Sequence, residues 1–199
     1  MHSQKKVIVA MSGGVDSSVA AALLKDLPAG RQGERFDVRG VHIKMWSDPS
    51  IPCTTKEDRY DAMKVAAKLS IPFETWDFTQ EYKQGVVDYM IREYRAGRTP
   101  NPDVMCNKKI KFGIFLKRAL EAGTDYIATG HYVRKVETAN KSYKLSRAKD
   151  KNKDQSYFLW MLAQEELRHC LFPIGDYTKP EVRSLARKYA LPTAEKKDS

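Results

Sequence analysis

The residue types best suited to chemistry lie in residues 97–112 (GRTPNPDVMCNKKIKF), a polar segment with one cysteine. Three lysines follow Cys106 within five residues, and nearby cations favour the thiolate, which is the nucleophilic form of the side chain. The carboxyl group of Asp103, three residues earlier, could act as a general acid or base. A buried structural cysteine and a helix-capping aspartate are the simpler alternatives. The segment predicts a nucleophilic thiol with a carboxylate nearby.

A second chemical segment, residues 12–18 (SGGVDSS), combines glycines, hydroxyls and one carboxylate. The glycines let backbone N–H groups approach an anion, and the N-terminus of a following helix adds a favourable dipole. Its three serine hydroxyls can donate to phosphate oxygens, while Asp16 could hold Mg²⁺ against them. The segment lacks the lysine of a Walker A loop and the GxGxxG of a dinucleotide fold. It predicts a phosphate-binding turn rather than a purely structural one.

Secondary structure must position both segments. The apolar run at residues 6–11 (KVIVAM) predicts a buried parallel strand before the glycine turn, and residues 16–25 predict a helix after it. Residues 98–107 are predicted to be a loop, and a hairpin is expected at 132–137 with 142–148. Further strands are predicted at 38–46, 71–76 and 126–129, and further helices at 55–69, 79–96, 110–122, 155–162 and 178–189.

Alternating strands and helices predict an α/β fold with a doubly wound parallel sheet, whose ligands bind where the strand order reverses. We expect residues 1–165 to form the phosphate-binding and catalytic domain. Residues 166–199 are expected to form a helical extension. Residues 28–35 (PAGRQGER) are predicted to be an exposed loop.

Composition and charge narrow the class of protein. The net charge is +10, and residues 131–153 hold eight basic side chains against two acidic ones, which favours a polyanionic partner over a merely solvated lysine-rich surface. No run of 18 apolar residues and no signal peptide are found. Cys53, Cys106 and Cys170 form no CxxC pair, which argues against a zinc knuckle and fits a reducing cytosol. We expect a cytoplasmic monomer.

The turn at residues 12–18 resembles the PP-loop of the ATP pyrophosphatases, which cleave ATP between its α and β phosphates. Residues 97–112 are similar to the signature of one branch, the tRNA-specific 2-thiouridylases (the MnmA or TrmU family). Residues 128–133 (ATGHYV), 153–159 (KDQSYFL) and 191–199 (LPTAEKKDS) agree with that branch. The resemblance extends over essentially the whole chain.

The resemblance implies an activity and site residues. The reaction would be ATP-dependent adenylation of the C2 oxygen of the wobble uridine of tRNA, followed by its replacement with persulfide sulfur. ATP and Mg²⁺ are the implied cofactors, and tRNA and a sulfur-relay donor protein are the implied partners. Cys106 matches the nucleophile and Asp103 the acid/base. The implied ATP contacts are Ala10, Met11, Ser12, Gly13, Gly14, Val15, Asp16, Ser17, Ile43 and Gly130; the implied uridine contacts are Asn101, Pro102 and Asp103; the implied tRNA contacts are Lys153, Asp154 and Gln155.

The family also has a second cysteine, the persulfide carrier, a few residues past the KKDS segment, and then a linking domain and a β-barrel domain. We therefore expect a fragment that retains ATP binding, with sulfur delivery depending on the rest. Another PP-loop synthetase that adenylates a metabolite is one alternative. A non-catalytic fragment that binds tRNA or nucleotide is the other. His131 is expected to be a hydrogen-bonded structural histidine rather than a base.

Overall fold

The computed structural model describes residues 4–26, 36–48 and 55–197 of the chain. The loop predicted at residues 28–35 and Cys53 lie outside the described residues. Among the helices of the described ranges, none has both the length and the apolar character needed to cross a bilayer.

A five-stranded parallel sheet forms the centre of the fold. The strand order across the sheet is β3-β2-β1-β4-β7. The chain first adds β2 and β3 on one side of β1 and then adds β4 and β7 on its other side, so the strand order reverses between β1 and β4. The predicted doubly wound α/β sheet is confirmed. The strands are β1 (Lys5–Ala10), β2 (Phe36–Lys44), β3 (Phe73–Asp77), β4 (Tyr126–Ala128) and β7 (Cys170–Leu171).

Helices α1 (Val15–Asp26), α2 (Thr55–Leu69) and α8 (Lys179–Lys188) cover one face of the sheet. Side chains of β1 alternate between the two faces, so that Val7 and Val9 join this layer whereas Ile8 joins the other. Helix α1 is buried over most of its length because it carries small and apolar residues from Val15 to Leu24. The tight contact fixes the start of α1 against the end of β1.

Two long helical segments cover the opposite face. The first consists of α3 (Thr79–Tyr82), a π-helical stretch (Lys83–Val87) and α4 (Asp88–Arg95). The second consists of α5 (Pro102–Met105), a π-helical stretch (Cys106–Ile114) and α6 (Phe115–Glu121). Side chains of both segments share a core with Ile8, Val41 and Ile127 of the sheet.

The loop predicted over residues 98–107 is wrong in its second half, because the helix begins at Pro102. Asn101 caps it: its side-chain oxygen accepts a hydrogen bond from the backbone N–H of Val104 at 3.1 Å. Pro102 occupies the first turn, where a missing N–H costs nothing. Cys106 therefore lies on a helix rather than in a loop.

The polypeptide after β4 is mostly extended. The predicted hairpin is confirmed as antiparallel strands β5 (Val133–Glu137) and β6 (Tyr143–Arg147). The helix predicted at 155–162 is wrong, since only a 3₁₀ turn, Ser156–Phe158, forms there. The carboxylate of Asp154 accepts hydrogen bonds from the Ala148 N–H and the Ser156 hydroxyl, which holds this segment against β6 instead.

The last part of the described chain returns to the sheet. Helix α7 (Gln164–Arg168) leads into β7, which pairs with β4 and which the sequence pattern did not predict. Helix α8 begins at the predicted cap, Thr178, whose hydroxyl and Glu181 form a capping box. Helix α8 packs on α1, so residues 166–197 contribute to the same core.

Phe115 tests the packing of the second helical layer, since it is completely buried against Trp76. We expect Phe115→Ala to lower the free energy of unfolding by about 3–5 kcal/mol, because it leaves a cavity. Leu120→Ala, on the same helix at a 36% exposed site, should cost under about 1 kcal/mol. Urea unfolding followed by circular dichroism measures both, and equal losses would contradict the packing described.

Candidate functional site

A cavity of about 450 Å³ opens at the carboxyl ends of β1, β2 and β4. This volume lies in the range of small-molecule sites, and the position is the one at which doubly wound sheets bind ligands. It is lined by Ala10, Met11, Ser12, Asp16, Ser17, His42, Ile43, Met45, Trp46, Ser47, Asp58, Tyr82, Lys111, Thr129, Gly130, His131 and Gln155.

Residues 11–14 connect β1 to α1 along one side of the cavity. Gly13 has φ +82°, and a Cβ there would collide with the backbone carbonyl of Asp58, so the turn requires glycine. The hydroxyls of Ser12 and Ser17 lie 3.2 Å apart and both residues line the cavity. The first turn of α1 leaves backbone N–H groups without helical acceptors. Hydroxyls and N–H groups together form an anion-binding turn.

One part of the phosphate prediction is wrong. Ser18 is completely buried, and its hydroxyl donates to the Gly14 carbonyl at 2.7 Å. Ser12 and Ser17 line the cavity, although the Ser17 hydroxyl also donates to the Gly14 carbonyl, at 3.2 Å. The other predicted ATP contacts divide similarly: Ala10, Met11, Ile43 and Gly130 line the cavity, whereas Gly13, Gly14 and Val15 shape the turn behind it.

Gly130 brings the end of β4 against the start of α1. A Cβ on this residue would lie 2.6 Å from the backbone nitrogen of Ser17. Beside it, Thr129 Oγ1 and His131 Nδ1 lie 2.8 Å apart. Burial, with a smaller contribution from Lys111, holds the pKa of His131 well below its usual range. His131 is therefore a neutral, hydrogen-bonded residue of the cavity wall.

Asp16, the predicted Mg²⁺ ligand, is already engaged. Both of its carboxylate oxygens lie 2.8 Å from Lys179 Nζ, and Oδ1 also accepts from the Tyr132 hydroxyl at 2.8 Å. Among the described residues no group of three or more potential metal-ligating side chains occurs. A Mg²⁺ ion at Asp16 would have to take the place of the Lys179 ammonium.

Cys106 lies beside the cavity and is not one of the residues that line it. Its Sγ is 4.0 Å from Sδ of Met45, a cavity residue. Tyr82 and Lys111 also line the cavity. The charge of Lys111 lowers the pKa of the Cys106 thiol, and Cys106 in turn raises the pKa of Tyr82. The structure therefore brings Cys106 to the edge of the space that the anion-binding turn faces.

The expectation that neighbouring lysines favour the thiolate is wrong for the described conformation. Burial raises the pKa of the Cys106 thiol, Lys111 opposes this and Asp103 adds to it. Lys108 and Lys109 are exposed on the helix surface and do not counter the burial. The resting thiol is protonated at neutral pH, so a nucleophilic role requires removal of its proton.

The predicted uridine contacts surround the start of the same helix. Asn101 and Asp103 are exposed, and Pro102 is half-buried. Asp103 is close enough that its charge raises the pKa values of both Cys106 and Tyr82. The cap is Asn101, which leaves the Asp103 carboxylate outside the capping interaction.

The predicted tRNA contacts differ in their surroundings. Gln155 lines the cavity, and its side-chain oxygen accepts from the Tyr132 N–H at 2.9 Å. Asp154 is occupied by the turn before the 3₁₀ helix. Lys153 is half-buried, with its backbone N–H donating to Asp150. Of these three residues, Gln155 is the one that reaches the cavity.

Several cavity residues were missed from the sequence. His42 is buried in β2, with Nδ1 3.0 Å from the Met11 carbonyl oxygen. Tyr82 and Lys111 come from the two helical segments, and Lys179 of α8 reaches the cavity residue Asp16. Residues at apolar strand ends and on helices have no sequence pattern that marks them as cavity residues. Only the position of residues 42–46 at the end of a predicted strand indicated the edge of the sheet at which the cavity lies.

Thiol reactivity tests the environment of Cys106. Iodoacetamide should modify Cys106 with an apparent pKa above the ordinary value for a thiol, and Lys111→Met should raise it further by removing the opposing charge. Cys170, whose pKa burial raises to about 12, should stay unmodified in the folded protein. Peptide mass spectrometry across a pH series measures each site. Lys108→Met is the matched control, and an equal shift from it would contradict the assignment.

The chain is similar to known proteins over nearly its whole length. The family model described as the tRNA methyl transferase HUP domain matches residues 5–199. The chain is 54% identical to the tRNA-specific 2-thiouridylase MnmA of Flavobacterium johnsoniae, over 98% of the chain and 49% of that protein. It is 53% identical to the protein of the same name from Christiangramia forsetii, again over 98% and 49%. The chain thus spans about half the length of these curated relatives.

A solved structure shares the fold at low sequence identity. The U34-tRNA thiolase NcsA from Methanococcus maripaludis matches with a TM-score of 0.58 and 20% identity, over 94% of this chain and 57% of that one. Because the family model covers nearly every residue and includes both the anion-binding turn and Cys106, the chain belongs to the tRNA methyl transferase HUP domain family.

Proposed function

We propose that this chain is the nucleotide-binding and base-activating half of a tRNA-specific 2-thiouridylase. Its reaction is the ATP-dependent adenylation of the C2 oxygen of the wobble uridine of tRNA, and the replacement of that oxygen by sulfur. The proposal combines the similarity to curated relatives with the geometry of the cavity.

One observation carries the proposal. The anion-binding turn lines the cavity, and the thiol of Cys106 lies 4.0 Å from the sulfur of Met45, another residue of the cavity wall. A phosphate site alone would fit any nucleotide-binding protein. An ionisable thiol at the edge of the same space fits a reaction in which an activated atom is exchanged for sulfur.

The residues of the turn would hold the phosphates. The Ser12 and Ser17 hydroxyls and the unpaired N–H groups of α1 donate to phosphate oxygens, and Gly130 lets the backbone approach from the β4 side. When bound, ATP supplies the adenylyl group that turns the uridine oxygen into a leaving group and releases pyrophosphate. We derive no step through Mg²⁺, because Asp16 is paired with Lys179.

The helix that carries Cys106 would hold the base. Asn101, Pro102 and Asp103 form its exposed start, and Asp103 is the nearest candidate to move a proton to or from the thiol. As thiolate, Cys106 would attack the inner sulfur of the persulfide on the family's second cysteine, which the sulfur donor supplies; a disulfide forms between the two cysteines and hydrosulfide is released. The hydrosulfide then attacks C2 of the activated uridine, the C2–O bond breaks, and AMP leaves.

The tRNA would lie across the surface beyond Gln155. The basic segment at residues 131–153 includes the β5–β6 hairpin, whose lysines and arginines are mostly exposed. Such a surface neutralises backbone phosphates and makes affinity depend on salt. Gln155 connects this surface to the cavity.

Pyrophosphate release from ATP tests the reaction class. We expect release to be stimulated by tRNA, and Ser17→Ala to reduce it about tenfold or more, as loss of a phosphate donor does. Ser184→Ala, at an exposed position of α8, is the matched control and should leave the rate unchanged. Stimulation by a small metabolite instead of tRNA would favour another adenylating synthetase. Salt-sensitive tRNA binding without release would favour a non-catalytic fragment.

Loss of the thiol tests the sulfur step. In cells that depend on the gene for this protein, Cys106→Ser should abolish 2-thiouridine while tRNA-stimulated pyrophosphate release by the purified variant remains. Cys170→Ala should retain 2-thiouridine, because Cys170 is fully buried beside β4. Nucleoside mass spectrometry of bulk tRNA measures the product, and normal 2-thiouridine in the Cys106 variant would refute the assignment.

A further inference from the structure

The start of α8 places a buried cation against the phosphate turn. Lys179 Nζ lies 2.8 Å from both carboxylate oxygens of Asp16, although the two residues are 163 positions apart in the chain. The Lys179 side chain is 12% exposed and that of Asp16 is 31% exposed. A paired charge at this depth is held by the fold rather than by chance contact at the surface.

The surroundings fix the Lys179 position. Its backbone N–H donates to the Asp150 carboxylate at 2.8 Å, and the preceding Thr178 caps the helix. Tyr132, which is 2% exposed, donates its hydroxyl to Asp16 Oδ1 at 2.8 Å. Two distant parts of the chain, those carrying Tyr132 and Lys179, thus converge on the carboxylate of Asp16, which lines the cavity.

Asp16 places a negative charge at the anion-binding turn. Asp16 lies in the first turn of α1, where a carboxylate suits the helix dipole. The same position is next to Ser12 and Ser17, where the phosphates of a nucleotide would bind, and two negative groups there repel each other. Without compensation, Asp16 would weaken the anion site that the turn creates.

We propose that Lys179 is the positioning residue that neutralises Asp16, so that the turn presents its hydroxyls and N–H groups to a polyphosphate without opposing charge. Asp16 then serves as a structural acceptor that ties α1, α8 and Tyr132 together, not as the Mg²⁺ ligand that the sequence predicted. The inference rests on the proposed nucleotide-binding function and adds a residue from outside the turn to its anion site.

Charge-dependent affinity tests the proposal. Calorimetric titration with ATP, in EDTA and separately with Mg²⁺, should show that Lys179→Met weakens ATP binding about tenfold or more, because Asp16 is left uncompensated. Affinity for adenosine, which has no phosphate, should change less than about twofold. The double variant Asp16→Asn, Lys179→Met should recover most of the ATP affinity, since the charge and its partner are removed together. Lys188→Met, an exposed lysine at the end of the same helix, is the charge-matched control.

Each other outcome has a distinct meaning. Parallel losses of ATP and adenosine affinity, with no recovery in the double variant, would make Lys179 a purely structural residue and overturn the proposal. A loss in Asp16→Asn that is confined to titrations with Mg²⁺ would restore Asp16 as the metal ligand and also overturn it. If Lys179→Met does not fold by circular dichroism, Lys179→Arg should keep the ATP affinity and Asp16→Asn should not lower it. Failure of the unmodified protein to bind ATP would instead reject the proposed function.

Discussion

The close approach of the Gly130 backbone to the first turn of α1 is the constraint on which the site depends. The sheet reverses its winding between β1 and β4, and the segments that follow these two strands therefore diverge from one edge. With no side chain at residue 130, the end of β4 can lie against Ser17. This contact leaves the helix N-terminus facing the cavity and brings Tyr132 within reach of Asp16. A larger residue at 130 would separate the two halves of the sheet at the position where the ligand binds.

Charge is distributed around the cavity in a consistent way. The turn offers neutral donors, the carboxylate in the first turn of its helix is paired with a lysine, and His131 is kept neutral by burial. Lys111 then remains as the cavity-lining lysine nearest the thiol. The cavity thus has neutral hydrogen-bond donors at the turn and one positive charge near the thiol of Cys106.

Features that depend on residues close together in the sequence could be predicted, whereas features that depend on contacts between distant residues could not. The turn at residues 12–18 and the strand before it were predictable because glycine, hydroxyl and apolar residues act there within a few positions. The pairing of Asp16 with Lys179 was not, since it joins residues 163 apart and depends on how α8 packs on α1. The helix start at Pro102 was missed because two prolines and several polar residues suggested a loop. The two-residue strand β7 is too short to have a pattern of its own.

The direction of the pKa shift of Cys106 could not be predicted from the sequence for a similar reason. Three nearby lysines suggested an ionised thiol, but the helix directs two of them to solvent, and burial outweighs the third. Lysines that are close to a cysteine in sequence lower its pKa only if the backbone directs them toward the thiol, because neighbouring positions on a helix point in different directions.

The π-helical stretch Cys106–Ile114 sets the rotational position of the cysteine. It connects the buried helix α6, which is anchored by Phe115 and Leu116, to the short helix α5. Because every helical residue rotates the chain about the helix axis, removal of one residue between the anchor and Cys106 would turn the thiol toward another side of the helix. The length of this stretch therefore directs the sulfur, while its buried residues Ile110 and Phe112 hold the stretch against the core.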